Sequence, residues 1–410
     1  MTTTTKTLRI GIVGIGVGGA EILPAIESLP EVELVAGADV NRDVLERFHN
    51  RYPQAETYVS AEAMCKDPSV EAVWVSTPNM YHAEHTILAL NHGKHVVVEK
   101  PMAISLKQAE QMVDAADKNG VKLLAGHTMS FSTPIRAMRK IIQSGELGKL
   151  RAINIWAFTD WLLRPRTAEE LDLNQGGGIP YRQGPHQIDT VRLLGGGMLR
   201  SVRAVVGQWQ EERPIPGYYS ALMEFEDGAV ASIVHDGYGY FITHELVPWG
   251  EDKQRYNAEE RVTIRKQLGA GTRNEDQEKL DLRIGGRAEE QIFRQRQARE
   301  WLPSDLGMVI VSCERGDIRH SAYGLTVYGD DGRREINLDQ VQGVVGRRVE
   351  LMELYDSAVL GKPVYHDGRW GMATLEVCLA LLESSREHRE VQLTHQMPVP
   401  DDYDSEFRLP

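Results

Sequence analysis

Positive charge is in short supply in this chain. Its 46 lysines and arginines stand against 59 aspartates and glutamates, a formal net charge of -13 over 410 residues. Surfaces that hold nucleic acid or anionic membrane need concentrated positive charge, so neither partner is expected and any basic site must be local. Cysteine is scarcer still: Cys65, Cys313 and Cys378 are far apart and show no paired spacing, which argues against a disulfide framework or a cysteine-based zinc site. No other metal-ligand cluster is evident either. Long apolar runs are missing, since no stretch approaches the length of a membrane span and the opening MTTTTK lacks the apolar segment of a signal peptide. A cytoplasmic protein is expected.

What is present is ordinary globular composition, 41% hydrophobic and 26% charged, in a chain long enough for two cores. The first part alternates β-rich apolar runs (LRIGIV, VELVAGA, AVWVST, HVVVE, VKLLAG) with helical patterns such as LKQAEQMVDAADKNG. That rhythm predicts a doubly wound parallel sheet, an α/β domain over residues 1–126. Beyond Gly126 the runs RAINIWAF, SVRAVVGQW, YYSALMEFE and AVASIVHDG follow one another with few helices, and EFEDGAV reads as a hairpin turning at Asp227-Gly228. A second, α+β domain over 127–410, built on a largely antiparallel open sheet, is expected. Between about Tyr240 and Ser304 the text is charge-dense, as in EDKQRYNAEERVTIRKQ and RAEEQIFRQRQAREW. It reads as a solvated helical insertion, or else as an oligomer contact or lid. GLTVYGDDGRREINL is a further hairpin, and helical patterns return around Val345–Leu360 and Trp370–Arg386.

Chemistry enters with GIVGIGVGG, where Gly14, Gly16 and Gly19 follow a strand and precede a helix. Glycine there permits a tight turn and lets amides at a helix start reach a pyrophosphate. Asp39, 20 residues beyond Gly19, closes the second strand, where a carboxylate accepts hydrogen bonds from a ribose diol. A carboxylate repels a 2′-phosphate, so NAD is the expected cofactor; Arg42 nearby blurs that preference, unless it is a solvated helix-start residue. Two more strand ends, at Thr77-Pro78-Asn79 and Glu99-Lys100, should also border the cofactor, because ligands in open α/β sheets bind at the carboxyl ends of the strands. His82 is either a helix-start residue beside the cofactor or a satisfied polar side chain. A lysine directly after VVVE is not a random surface lysine.

Taken together, GIxGxGxxG, STPNxxH, ALxxGKHVxxEKP and GGGxxxxxGxHxxD make the chain, from Gly11 to about Gly196, resemble the glucose–fructose oxidoreductase, inositol dehydrogenase and rhizopine-catabolism (Gfo/Idh/MocA) oxidoreductases. The resemblance implies that Lys100 sits beside the nicotinamide and the reacting hydroxyl, where an ammonium stabilises alkoxide-like charge. It implies equally that His186, at the start of the helix PHQIDTVRLL, acts on substrate. Imidazole is a reasonable general base, and a helix N-terminus keeps it neutral. Glu99 and Asp189 read as supports for Lys100 and His186. In that family a loop aspartate stands four residues before the histidine; here the residue is Arg182. Arginine cannot relay a proton, but it binds a carboxylate in a planar fork.

The expected substrate is therefore a small anionic molecule. Arg164 and Arg166 of WLLRPRT could reach the same cleft, and Arg315 and Arg319 of SCERGDIRHS are further candidates, with a surface salt bridge as the alternative for each. Within the family, YRQGPHQID and the long insertion resemble the phthalate 4,5-cis-dihydrodiol dehydrogenases, which implies oxidation of a cyclohexadiene diol carboxylate without a metal. A sugar or inositol dehydrogenase is the alternative among enzymes. A nonenzymatic NAD(P)-binding sensor or regulator is the alternative outside them, favoured by loss of the relay aspartate and disfavoured by retention of Lys100 and His186. The resemblance also implies a homodimer or homotetramer joined through the open sheet face.

Overall fold

A computed structural model of the chain describes residues 6–126, 129–248, 255–281, 300–338 and 345–410. They fall into two compact units, each with one sheet.

In the first unit six parallel strands, β1 (Leu8–Val13), β2 (Val32–Ala38), β3 (Glu56–Tyr58), β4 (Ala72–Val75), β5 (His95–Glu99) and β6 (Leu123–Gly126), lie in the order β3-β2-β1-β4-β5-β6. The order reverses between β1 and β4, which opens a crevice at their carboxyl ends. All four residues of β4 are buried, as are all of β5 after its first residue. Helices cover both faces of such strands, which is why VWV and VVV run apolar without alternation. Isolated short helices are marginal in water, so packing and caps decide them. Asn41, Ser60 and Ser105 each accept amide hydrogen bonds at the helix starts they cap, and Gly120 ends the helix Leu106–Asn119 in the left-handed region.

The first unit is not confined to 1–126. The helix Val345–Val359 packs on the helix Val17–Glu27 and on β1 and β5, and it contributes Leu351, Leu354 and Tyr355 to the same core as Ile10, Ile12, Ile22 and Phe48. Local periodicity announces that helix correctly but carries no information about which sheet it covers.

The second unit holds nine strands: β7 (Leu150–Phe158), β8 (Leu199–Gly207), β9 (Tyr218–Phe225), β10 (Val230–Asp236), β11 (Met308–Cys313), β12 (Gly316–Ser321), β13 (Gly324–Gly329), β14 (Gly332–Asn337) and β15 (Val391–Gln392). Their order is β14-β13-β12-β11-β7-β10-β9-β8-β15, antiparallel except where β7 meets β10. Burial alternates along β9 and β10, so one face is covered and the other open. Asp227-Gly228 makes the expected β9–β10 turn, with Gly228 at φ +86°.

The charged insertion differs from expectation where it is described. Its helix Ala258–Gly269 starts in a reciprocal capping box between Asn257 and Glu260. Ile264 and Leu268 form a small apolar cluster with Leu163, with Tyr256 packed beside it. This segment is docked rather than solvated. The stretch 287–299 of the expected helical region lies outside the described residues.

Two histidines are sealed into the second unit. His235 on β10 is wholly buried and is pushed by burial down to about 4. His320 on β12, stacked on Trp301 at 3.8 Å, is pushed by burial down to about 3. Both values lie below that of an unfolded histidine, so the unfolded chain binds more protons as pH falls below about 6.5 and stability is lost through that window. Melting temperature should therefore drop between pH 7 and pH 5. His320→Phe, which keeps the stack on Trp301, should make the drop shallower; an identical slope would show that burial of His320 does not contribute to it.

Candidate active site

The turn after β1 shows why each glycine is needed. Gly14 has φ +85°, and a Cβ there would lie 2.8 Å from the Thr77 amide nitrogen and 2.9 Å from the Ser76 carbonyl oxygen. A Cβ on Gly19 would collide with the Gly14 carbonyl. Gly16 is different, because nothing lies within 4 Å of the position its Cβ would take. That open space adjoins the start of the helix Val17–Glu27, which has no side-chain cap and no acidic residue in its first turn. An uncapped helix start beside a bare glycine is a cradle for a pyrophosphate. Asp39 accepts from the Ile15 amide at 2.9 Å and from the Asn41 amide at 2.8 Å, which fixes its carboxylate beside the glycine turn. Arg42 is exposed at the helix start that Asn41 caps. These residues fit a dinucleotide.

The loops after β4 and β5 are tied to this turn and to each other. The Ser76 hydroxyl donates to the Gly14 carbonyl at 2.7 Å. The His82 ring, buried at 1% exposure, has Nδ1 2.7 Å from the Pro101 carbonyl and Nε2 2.7 Å from the Thr77 carbonyl. A singly protonated imidazole donates to one of these carbonyls, and a doubly protonated ring donates to both. In either form His82 joins the Thr77-Pro78-Asn79 loop to the Lys100-Pro101 loop, beyond what either sequence reading of it supplied. His85 Nδ1 adds a 3.1 Å contact to the Thr77 hydroxyl, and Asn79 is buried. Lys100 is partly exposed, whereas Glu99 is buried against Arg347 at 2.7 Å. Arg347 escaped sequence reasoning because nothing in the spacing of GRRVE relates it to Glu99.

The second unit carries the other candidates. Arg182 ends a short helix, Ile179–Arg182, rather than lying in a loop, and the helix Gly184–Leu194 follows with Pro185 in its first turn. Every residue of that second helix is buried, His186 included. Gln187 fixes it by donating to the Val234 and Leu306 carbonyls while accepting from the Tyr219 hydroxyl at 2.7 Å. Asp189 is buried one turn beyond His186.

The structure brings Arg166 and Arg182 together on Glu170, Arg182 at 2.8 Å and Arg166 at 3.5 Å. Arg166 also stacks on the Trp161 ring at 3.6 Å and donates to the Trp161 carbonyl at 2.6 Å. Burial, with repulsion from Arg182, Arg164 and Arg213, pushes Arg166 down to about 9 despite Glu170. Arg164 is placed differently: it forks onto Asp305 at 2.6 and 2.7 Å and reaches Asp160 at 3.0 Å, so its charge is met within the chain. Although burial opposes it, Arg164 holds Asp305 well below the usual carboxylate range. Arg213 forks onto Glu275 of the insertion. Arg315 and Arg319 are not part of this group; they lie on the β11–β12 hairpin, bonded to the Glu146 carbonyl and the Tyr328 hydroxyl. Glu170, Asp305 and Glu275 were all missed in the sequence, and only Glu170, four residues from Arg166, had a local spacing that could have shown it. Among the described residues no group of histidine, cysteine and carboxylate side chains is arranged to hold a metal, and no helix is long and apolar enough to cross a membrane.

A glycine-rich cradle at the switch point, with a lysine at the end of β5, defines an NAD(P)-dependent dehydrogenase. Residues 8–127 match the oxidoreductase family with an NAD-binding Rossmann fold, and residues 135–238 match the GFO/IDH/MocA C-terminal domain. A curated relative from Comamonas testosteroni, 1-carboxy-3-chloro-3,4-dihydroxycyclohexa-1,5-diene dehydrogenase, is 34% identical over 92% of this chain and 95% of its own. The mouse trans-1,2-dihydrobenzene-1,2-diol dehydrogenase is 29% identical over 56% of this chain and 63% of its own. A solved structure from Bordetella bronchiseptica RB50 is 35% identical, with a TM-score of 0.84 over 94% of this chain and all of that one. The chain belongs to the GFO/IDH/MocA family of oxidoreductases.

The two kinds of glycine should separate experimentally. Gly16→Val places a side chain in open space, so it should leave the melting temperature unchanged while weakening NADH binding at least about tenfold, or ~1.4 kcal/mol. Gly19→Val should lower the melting temperature instead. Calorimetric NADH titration and thermal melts of both variants check this, and unimpaired binding by Gly16→Val would remove the cradle.

Proposed function

We propose that the protein is an NAD-dependent dehydrogenase of carboxylated cis-dihydrodiols, with phthalate 4,5-cis-dihydrodiol, oxidised to 4,5-dihydroxyphthalate, as its substrate. The observation that carries this reading is the gathering of Arg166 and Arg182 on Glu170, which holds the guanidinium of Arg182 just ahead of the helix that carries His186. A substrate carboxylate would be bound by Arg182, whose side chain is 24% exposed. Arg166 and Arg164 then serve by supporting the cluster rather than by touching the substrate. The name of the Comamonas testosteroni relative, a dehydrogenase of a carboxylated cyclohexadiene diol, supports the same substrate class.

Held at the glycine-rich cradle beside Asp39, NAD would supply the acceptor for the hydride of the carbinol carbon. Lys100 donates a hydrogen bond to the reacting oxygen as charge develops there. His186, in the first turn of its helix, takes the hydroxyl proton. The resulting ring ketone tautomerises to the aromatic diol, which makes oxidation favourable. Asp39 supports NAD over NADP, since a 2′-phosphate beside its fixed carboxylate would be repelled.

NADH formation with the phthalate dihydrodiol, an uncarboxylated cis-dihydrodiol and inositol tests this reading. The dicarboxylate should be preferred, and NADP should serve poorly. Arg182→Ala should lower kcat/KM for the dicarboxylate about ten- to hundred-fold, the worth of one hydrogen bond to a charged group (~1.5–3 kcal/mol), and leave the neutral diol unaffected. Equal turnover of carboxylated and neutral diols would discard the anionic substrate.

The open sheet face supports assembly with a second copy. Met308, Trp156, Val234, Ser220 and Val205 stand in register across β11, β7, β10, β9 and β8, and none of them is buried. A largely apolar row of this kind is a face that a second copy of the chain would cover. Trp156→Glu should then lower the mass measured by sedimentation to that of a smaller assembly, and an unchanged mass would place the interface elsewhere.

A further inference from the structure

We propose that Arg347 is a positioning residue for the cofactor-side chemistry, holding Glu99 beneath the glycine-rich turn and thereby setting the charge that Lys100 experiences. Arg347 stands near the start of the helix Val345–Val359, far along the chain from the residues it touches. Its guanidinium lies 2.7 Å from Glu99, 3.3 Å from Glu350 and 3.8 Å from Glu21, and 5.3 Å from the centre of the Trp74 ring. Glu21 belongs to the helix that begins at the pyrophosphate cradle, and Glu99 is the last residue of β5, next in the chain to Lys100. One cation therefore joins the cradle helix, the lysine strand and its own helix.

The close approach is built into the backbone. A Cβ on Gly18 would lie 3.9 Å from Glu99 Cγ, so the Glu99 side chain runs directly under the glycine turn. A Cβ on Gly126 would lie 2.9 Å from Glu350 Oε1, so the end of β6 has room for that carboxyl only because residue 126 is glycine. Burial pushes Glu350 up to about 8, with Glu99 adding to the rise and Arg347 opposing it. Arg347 and Glu99 form a buried ion pair at 2.7 Å, one residue along the chain from Lys100. Against the pull of burial, the surrounding carboxylates keep Arg347 firmly charged. A buried ion pair of this kind is a poor source of stability but a good device for fixing a geometry.

This inference holds whichever diol is oxidised, and its test needs no substrate. Full-length protein is labelled with acetic anhydride across a pH series, and modification of Lys100 is followed by peptide mass spectrometry to give the midpoint of its titration. Arg347→Met leaves Glu99 without its cation, so the Lys100 midpoint should rise by roughly one unit. Glu99→Gln leaves Arg347 without its nearest carboxylate, so the midpoint should fall. Arg347→Lys keeps a cation and should hold the midpoint near that of the wild type. The double variant Arg347→Met/Glu99→Gln should return to it. NADH affinity, read by energy transfer from tryptophan, should weaken several-fold in Arg347→Met. Should that variant fail to fold, as judged by circular dichroism, the Glu99→Gln and Arg347→Lys midpoints decide the matter alone. Opposite shifts in the two single variants mark a charge balance that general loosening does not produce. Unchanged midpoints in folded variants, or shifts of the same sign, would overturn the role.

Discussion

The hydrogen bond from the Ser76 hydroxyl to the Gly14 carbonyl joins the ends of the two strands between which the nucleotide-binding sheet reverses direction. Its 2.7 Å length requires backbones closer than any side chain at residue 14 permits, so glycine and its left-handed φ follow from it. With that contact made, the Thr77 carbonyl is in place to meet His82, and His82 in turn meets Pro101. Three loops from distant parts of the sequence thus become one surface, and Lys100 stands on it. This chain of short contacts is how a loop residue acquires the rigidity of a sheet.

Buried guanidinium groups organise the rest. Removing a charge from water costs several kcal/mol unless partners replace the solvent, which explains why Arg164, Arg213 and Arg347 each meet carboxylates of their own unit. Arg166 and Arg182 follow the same pattern by sharing Glu170. This pairing ties each guanidinium to a carboxylate within its own unit. It also gives the insertion a purpose, because Glu275 accepts from the Arg166 amide while holding Arg213.

Much of this was legible in the sequence where the information is local. Five of the six strands of the first sheet, the turn at Asp227-Gly228, the proline and glycine bounding the helix of His186, and the three glycines of the cradle declare themselves within a few residues, whereas the three-residue β3 is too short to do so. Pairings across the chain do not. Arg164 sits four residues from Asp160 but forks onto Asp305, and that partner turned an expected substrate contact into an internal one. The charge density of the insertion suggested solvation, yet the apolar side of its helix, Ile264 and Leu268, was sufficient to dock it on Leu163. β15 is too short for any periodicity, and it exists only because β8 offers an edge.

The helix Val345–Val359 also bears on how the polypeptide emerges during synthesis. The first sheet is complete once residue 126 has been made, but Ile10, Ile12 and Ile22 share their core with Leu351, Leu354 and Tyr355. A nascent chain therefore carries an unsealed apolar face while more than half of the protein is still being translated. Domains usually fold in the order in which they leave the ribosome. Here the core of the earliest domain is finished nearly last, when the helix Val345–Val359 arrives.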